Sequence, residues 1–185
     1  MKKSLRLMLL VALMGVASGC DGLLETDPAE NNITNISQDV DFEAKSATYK
    51  HFSGENSYYP QRENFVIELL GSEGSVRDAM ILDLLTPKGQ TTLVGRYIVG
   101  SKGDYLALPK YDVLDSTTGL LYMGGSYYGR AVGGYIKDYF GFLTEGEVNI
   151  CALTDGGYSV VVDGKSGDYT IKVRYEGEIT QIQPK

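Results

Sequence analysis

From Phe42 onward the chain is built of short runs of Val, Ile, Leu and Tyr, interrupted roughly every eight to twelve residues by Gly, Asp, Asn or Pro. Runs of that length bury one face of a strand and then turn, which is the pattern of an all-β sandwich or barrel. No stretch in this part keeps helical periodicity over three turns. Strands are expected at Phe42 to Phe52, Asn64 to Leu70, Ala79 to Thr86, Leu93 to Val99 and Tyr105 to Leu108. The breakers between them include Gly54, Asn56, Pro60, Pro87, Gly89 and Pro109.

The C-terminal part carries the clearest signal. Glu147 to Leu153, Tyr158 to Val162 and Tyr169 to Tyr175 alternate or run apolar at period two, as half-buried strands do. Tyr169, Ile171, Val173 and Tyr175 fall on one face, with Thr170, Lys172 and Arg174 on the other. The separators are Thr154-Asp155-Gly156-Gly157, whose Asp-Gly pair suits a hairpin turn, and a longer loop at Asp163-Gly164-Lys165-Ser166-Gly167. An antiparallel three-stranded meander is expected here. The domain as a whole, residues 42–185, is expected to be an antiparallel β-sandwich, jelly-roll-like, with a lipocalin or calycin-like β-barrel as the alternative.

Residues before Phe42 are of another kind. Lys2, Lys3 and Arg6 precede an apolar or small-residue run from Leu7 to Ala17. That run is about 11 residues long, whereas a membrane-spanning helix needs about 20, so it reads as a cleavable export signal over residues 1–19. Its end, Val16-Ala17-Ser18-Gly19-Cys20, resembles the lipobox of bacterial lipoproteins. The resemblance implies a lipidated Cys20 as the first mature residue, a membrane attached through that lipid, and residence in the cell envelope. The outer membrane, on its periplasmic or surface side, is preferred to the inner one. Asp21 to Asp41 is rich in Asp, Glu, Asn, Ser and Thr, too poor in apolar surface to offset its ordering entropy, and 20–41 is therefore expected to act as a tether.

Charge narrows the partners. Lys2, Lys3 and Arg6 are three of the 17 basic residues, and none of the 24 acidic residues precedes Asp21, so the remainder holds 14 basic against 24 acidic, about −10. Its basic residues are scattered singly among acids. Nucleic acid, which is bound by clustered Lys and Arg, is therefore not expected as a partner. With Cys20 lipidated, Cys151 stands alone in Val148-Asn149-Ile150-Cys151-Ala152-Leu153 and is expected to be a buried, inert thiol.

Chemistry is harder to assemble. His51 is the single histidine, there is no Gly-x-Ser-x-Gly elbow, and no phosphate loop or dinucleotide fingerprint occurs, so no enzyme, cofactor or metal site is expected. Glu145 with Glu147 and Glu176 with Glu178 read as solvated strand faces. Asp104, Asp112 and Asp115 lack the spacing of a calcium loop. Asp115-Ser116-Thr117 resembles the O-glycosylation sequon of some gut anaerobes. The unusual segment runs from Tyr122 to Phe142. There Tyr122, Tyr127, Tyr128, Tyr135, Tyr139, Phe140 and Phe142 interleave with Gly124, Gly125, Gly129, Gly133, Gly134 and Gly141. Tyrosine presents a flat apolar face and a rim hydroxyl, and glycine lets a ligand approach the backbone. Tyr122, Tyr127, Tyr128, Tyr135 and Tyr139 are accordingly the candidate ligand-binding residues, set against the plainer reading that they alternate between core and surface of a hairpin.

Taken together, Cys20 with its polar tether, Asn64-Phe65-Val66-Ile67-Glu68-Leu69, and Gly167-Asp168-Tyr169-Thr170-Ile171 through Tyr175-Glu176-Gly177-Glu178-Ile179 resemble β-rich lipoproteins of Gram-negative gut bacteria. That resemblance brings structural motifs and no functional residues. The expected role is a non-enzymatic binding module for a carbohydrate or another small ligand. The alternatives are a structural subunit with an envelope protein partner and a lipocalin-like carrier of an apolar molecule.

Overall fold

The computed structural model describes residues 35–53, 59, 61–71, 76–114, 121–132 and 135–183; the side chains of 76, 113–114, 121–123, 131–132 and 135–139 lie outside this description. Cys20, the expected export signal and most of the expected tether are likewise outside it. The described chain is all-β. Its strands are β1 (Val40–Glu43), β2 (Ser46–Phe52), β3 (Arg62–Leu70), β4 (Val76–Pro87), β5 (Gly95–Val99), β6 (Leu106–Ala107) and β7 (Tyr111–Leu114). They continue with β8 (Leu121–Gly124), β9 (Tyr127–Val132), β10 (Tyr135–Phe142), β11 (Glu145–Ala152), β12 (Tyr158–Ser166), β13 (Tyr169–Gly177) and β14 (Ile179–Gln181).

Twelve of these strands form one curled sheet, a half-barrel, in the order β1-β13-β12-β11-β5-β6-β4-β3-β2-β14, with β9 and β10 branching from β4; β7 and β8 make a separate hairpin. This is closer to the barrel alternative than to two stacked sheets. The expected meander is present, β11 and β13 both pairing antiparallel with β12. The sheet is nevertheless mixed rather than purely antiparallel, because β1 with β13, β14 with β2, and β5 with β6 are parallel.

Two of those parallel pairings form a single seam. Val40 faces Ile171 on one side of it and Ala47 faces Ile179 on the other. Between them Ala44 N–H donates to Arg174 O at 2.8 Å, and Lys45 N–H turns away to Leu70 O at 2.7 Å. The chain around 40–49 thus runs beside the chain around 171–181 with one residue of slip, a bulge that lets the strand change partners and bend. The two ends of the sheet are stitched to each other there. A second stitch begins earlier, where Asn35 bridges Phe140 and Ile36 is buried, so the folded body starts before the boundary expected at Phe42.

The curled sheet encloses one apolar cluster, including Phe65, Ile67, Leu82, Tyr97, Tyr128, Val160, Val162, Ile171 and Val173. Polar groups cap it at both ends. At one, Asp78 Oδ1 accepts from Arg130 Nε at 2.9 Å and from the Tyr128 hydroxyl. At the other, His51 Nε2 lies 2.9 Å from Glu63 Oε2, while Gly89 N–H donates to Glu63 Oε1 at 2.9 Å. His51 also stacks on Phe65, with ring centroids 4.3 Å apart and planes 7° from parallel.

The turns follow from local chemistry. Ser166 pairs directly with Tyr169, so the β12–β13 loop is a two-residue turn, tighter than expected. Gly167 has φ of +60°, which costs glycine nothing and most other residues about 1 kcal/mol or more. Cys151 also departs from expectation. Val148 and Ile150 point into the core, and the alternation carries Cys151 to the exposed side.

Candidate functional site

Alternation along a strand places every second side chain on the outside of the curled sheet. Over β2, β3, β4, β9 and β10 that outside is not bare. Phe52, Val66, Ile81 and Tyr127 are buried in a second apolar layer, against which Phe140 and Phe142 pack while remaining partly exposed. The register explains the arrangement. Thr48, Glu68, Ile81, Tyr127 and Phe142 are successive cross-strand partners, forming one row across five strands. At about 4.8 Å per strand the row is about 19 Å long.

Its two ends differ in chemistry. At the β10 end three rings are in contact: Tyr127 and Phe140 at 4.8 Å, Tyr127 and Phe142 at 5.5 Å, and Phe140 and Phe142 at 5.0 Å with planes 90° apart. Phe140 faces Gly129 across the ladder, and the missing side chain there leaves room for the ring to lean onto Tyr127. Toward the other end, on β3 and three strands from Phe142, stands Glu68, 8% exposed, whose buried Oε1 has no hydrogen-bond partner. Burial pushes the Glu68 carboxyl above its ordinary range, against the opposing pull of Lys50 and a hydrogen bond with Thr48. Burial, and then the charge of Glu68, push the Tyr127 hydroxyl up. An acceptor left unsatisfied in a buried site costs about 1–3 kcal/mol, and more when charged.

A different buried acid shows what full satisfaction looks like. Asp83 Oδ1 accepts from Asn64 Nδ2 at 2.6 Å and Oδ2 from the Tyr111 hydroxyl at 2.6 Å. Its backbone N–H donates to Ser126 Oγ at 3.0 Å and its carbonyl accepts from Leu108 N–H at 2.8 Å. β4 exchanges β9 for β6 as its neighbour around this point, so these bonds satisfy the backbone where the sheet splits. They also fasten β7 to the sheet through Tyr111.

Of the five tyrosines singled out in the sequence, Tyr127 and Tyr128 do not share a surface. Tyr127 and Tyr128 are buried, at 4% and 1% exposure, on opposite faces of β9: Tyr127 in the outer layer, Tyr128 in the enclosed core with its hydroxyl on Asp78. Tyr122 lies on β8 and Tyr135 and Tyr139 on β10, with side chains outside the described residues. Nor do Gly124, Gly125 and Gly141 open onto a ligand. A Cβ at Gly124 would meet the Tyr111 ring at 2.3 Å, one at Gly125 the Pro109 carbonyl at 2.3 Å, and one at Gly141 Ser166 Oγ at 2.6 Å. They serve close packing of the chain on itself.

Glu68 escaped the sequence reading, because it sits out of phase with Phe65, Ile67 and Leu69 and an out-of-phase acid ordinarily faces water. The signal that marks it is the unbroken apolar company of Val66, Ile67, Leu69 and Leu70. Such a run belongs to a strand buried on both faces.

The fold and this face define an all-β protein with an apolar-aromatic outer strip ending in a buried acid. No protein-family model matches the chain, and neither a curated protein nor a solved structure matches it.

Proposed function

We propose that this chain is a lipid-anchored cell-envelope protein, held at the outer membrane through acyl chains on Cys20, whose β domain is a non-enzymatic binding module for carbohydrate. The anchor rests on Val16-Ala17-Ser18-Gly19-Cys20 and the preceding basic and apolar segments. Two or more acyl chains give stable attachment without the positive surface patch that an acidic protein lacks. The binding role rests on one observation: the partly exposed Phe140 and Phe142 rings, in contact with each other and with Tyr127 on the outer face of the sheet. A sugar offers an apolar C–H face to an aromatic ring and polar hydrogens to an acceptor. The two rings supply the apolar contact. Tyr127 supports them from below.

The test pairs a glycan array with variants of the full-length protein in detergent. Wild type is expected to retain a subset of glycans, and Phe142→Ala to lose most of that signal while the fold, read by circular dichroism, is kept. An array with no retained glycan overturns the binding role. For the anchor, mass spectrometry of protein from the envelope fraction is expected to find an acylated N-terminal cysteine, and Cys20→Ser to release the protein from membranes; an unmodified N-terminus refutes it.

A further inference from the structure

Resting on the carbohydrate reading above, we infer that Asn35 is the polar, specificity-determining residue beside the rings, and that the sugar it selects is neutral and carries two neighbouring hydroxyls. The juxtaposition is one rung of the sheet. Asn35 bridges Phe140 in parallel register, so the two side chains stand on the same face, one strand spacing or about 4.8 Å apart. Burial agrees with that placement: Ile36, the next residue, lies in the enclosed cluster, while Asn35 is exposed. Phe140 therefore has Gly129, which lacks a side chain, on one flank and Asn35 on the other. Phe140 and Phe142 are partly exposed and Asn35 is exposed, so one ligand reaches rings and carboxamide from solvent.

The chain after Asn35 holds its backbone in place. Ile36 N–H donates to Phe140 O at 3.2 Å. The Ile36 side chain occupies space that Gly141 leaves, since a Cβ there would meet Ile36 Cδ1 at 3.1 Å. Farther on, Asp39 Oδ1 accepts from Thr170 N–H at 2.8 Å, and Val40 pairs with Ile171. A polar group positioned beforehand loses less freedom when a ligand arrives. Its chemistry sets the kind of sugar. An Asn side chain presents a carbonyl acceptor and an NH2 donor side by side. That pair matches two adjacent hydroxyls on a sugar edge, one donating and one accepting, while the C–H face of the same sugar lies on Phe140. The carboxamide is uncharged, and the chain has 24 acidic against 17 basic residues, so anionic sugars are disfavoured.

The experiment carries the full-length protein and its Asn35→Ala variant through the glycan array and then through titration calorimetry with the most strongly retained glycan. The glycans retained by wild type are expected to be neutral, and Asn35→Ala to bind that glycan about tenfold more weakly. Monodeoxy forms of the glycan give a readout that a structural role would not move. Removal of one particular hydroxyl should weaken wild type about tenfold and Asn35→Ala hardly at all. In wild type the Asn35 side-chain amide resonance should shift as the glycan is added. Undiminished affinity in Asn35→Ala overturns the inference and leaves the carbohydrate reading standing. So does a deoxy series that weakens both proteins equally at every position, or a resonance that does not move. Retention of acidic glycans alone overturns the choice of sugar, and an array with no retained glycan overturns both readings. Because the resonance is followed in wild type, the outcome does not depend on whether Asn35→Ala folds.

Discussion

β3 and β13 are both nine residues long and both lie inside the same sheet, yet water treats them differently. Along β13 burial alternates, Ile171, Val173 and Tyr175 inside, Lys172, Arg174 and Glu176 outside. Along β3 every residue from Glu63 to Leu69 is buried. The outer surface over β5, β11, β12, β13 and β1 is charged: Arg96 Nε donates to Glu147 Oε2 at 2.8 Å, Lys165 lies 2.7 Å from Glu145, and Arg174 Nη2 donates to Asp41 Oδ1 at 2.6 Å. The surface over β3 and β4 is instead covered by its own second layer. One side of the molecule faces solvent with charged side chains, and the other carries a second apolar layer on its outside.

Substitutions can test this division. Phe65→Ala leaves a cavity in the enclosed core and removes the ring on which His51 stacks; a loss of about 3–5 kcal/mol in urea unfolding is expected. If the outer layer over β4 is packed like a core, Ile81→Ala should cost about 2–5 kcal/mol, although Ile81 lies on the outside of the sheet. A cost near that of a surface change would erase the distinction between the two sides. Tyr111→Phe removes the hydroxyl that donates to Asp83 and should cost about 1.5–3 kcal/mol, with faster amide exchange concentrated in β7.

Glu68 makes the contrast pH-dependent. Its carboxyl is raised above an ordinary value of 4.5, chiefly by burial, so the folded chain holds that proton more tightly than the unfolded chain. Stability from this group is therefore greatest in acid and falls as pH rises through the window that opens just above 4.5. Glu68→Leu should raise the melting temperature at pH 7.5 and leave it nearly unchanged at pH 4; a gain equal at both values contradicts this. The smallest effect belongs to the solvent side. Val161→Thr, at a position 40% exposed on β12, should change stability by no more than about 0.5 kcal/mol.

Local pattern revealed much of this molecule and missed specific parts of it for physical reasons. The meander of β11, β12 and β13 was legible because one face meets core and the other meets water, so burial is written directly as alternation. β7 to β10 were not legible as strands because Gly124, Gly125 and Gly141 interrupt the alternation to admit Tyr111, Pro109 and Ser166. The candidate strip was half visible. Tyr127, Phe140 and Phe142 stood out by composition, whereas Glu68, out of phase with Phe65, Ile67 and Leu69, was not singled out.

The order of residues along the chain was enough to establish an all-β body, the inward set of its closing strands and a segment before Cys20 unlike the rest. It could not establish that residues around 40–49 lie beside those around 171–181, or that Val66, Ile81 and Tyr127 are covered. The reason is range. Period two records which side chains share one face of a strand, while the neighbour across the seam and the cover over an outer face come from residues far away in the chain, which the folded arrangement brings together.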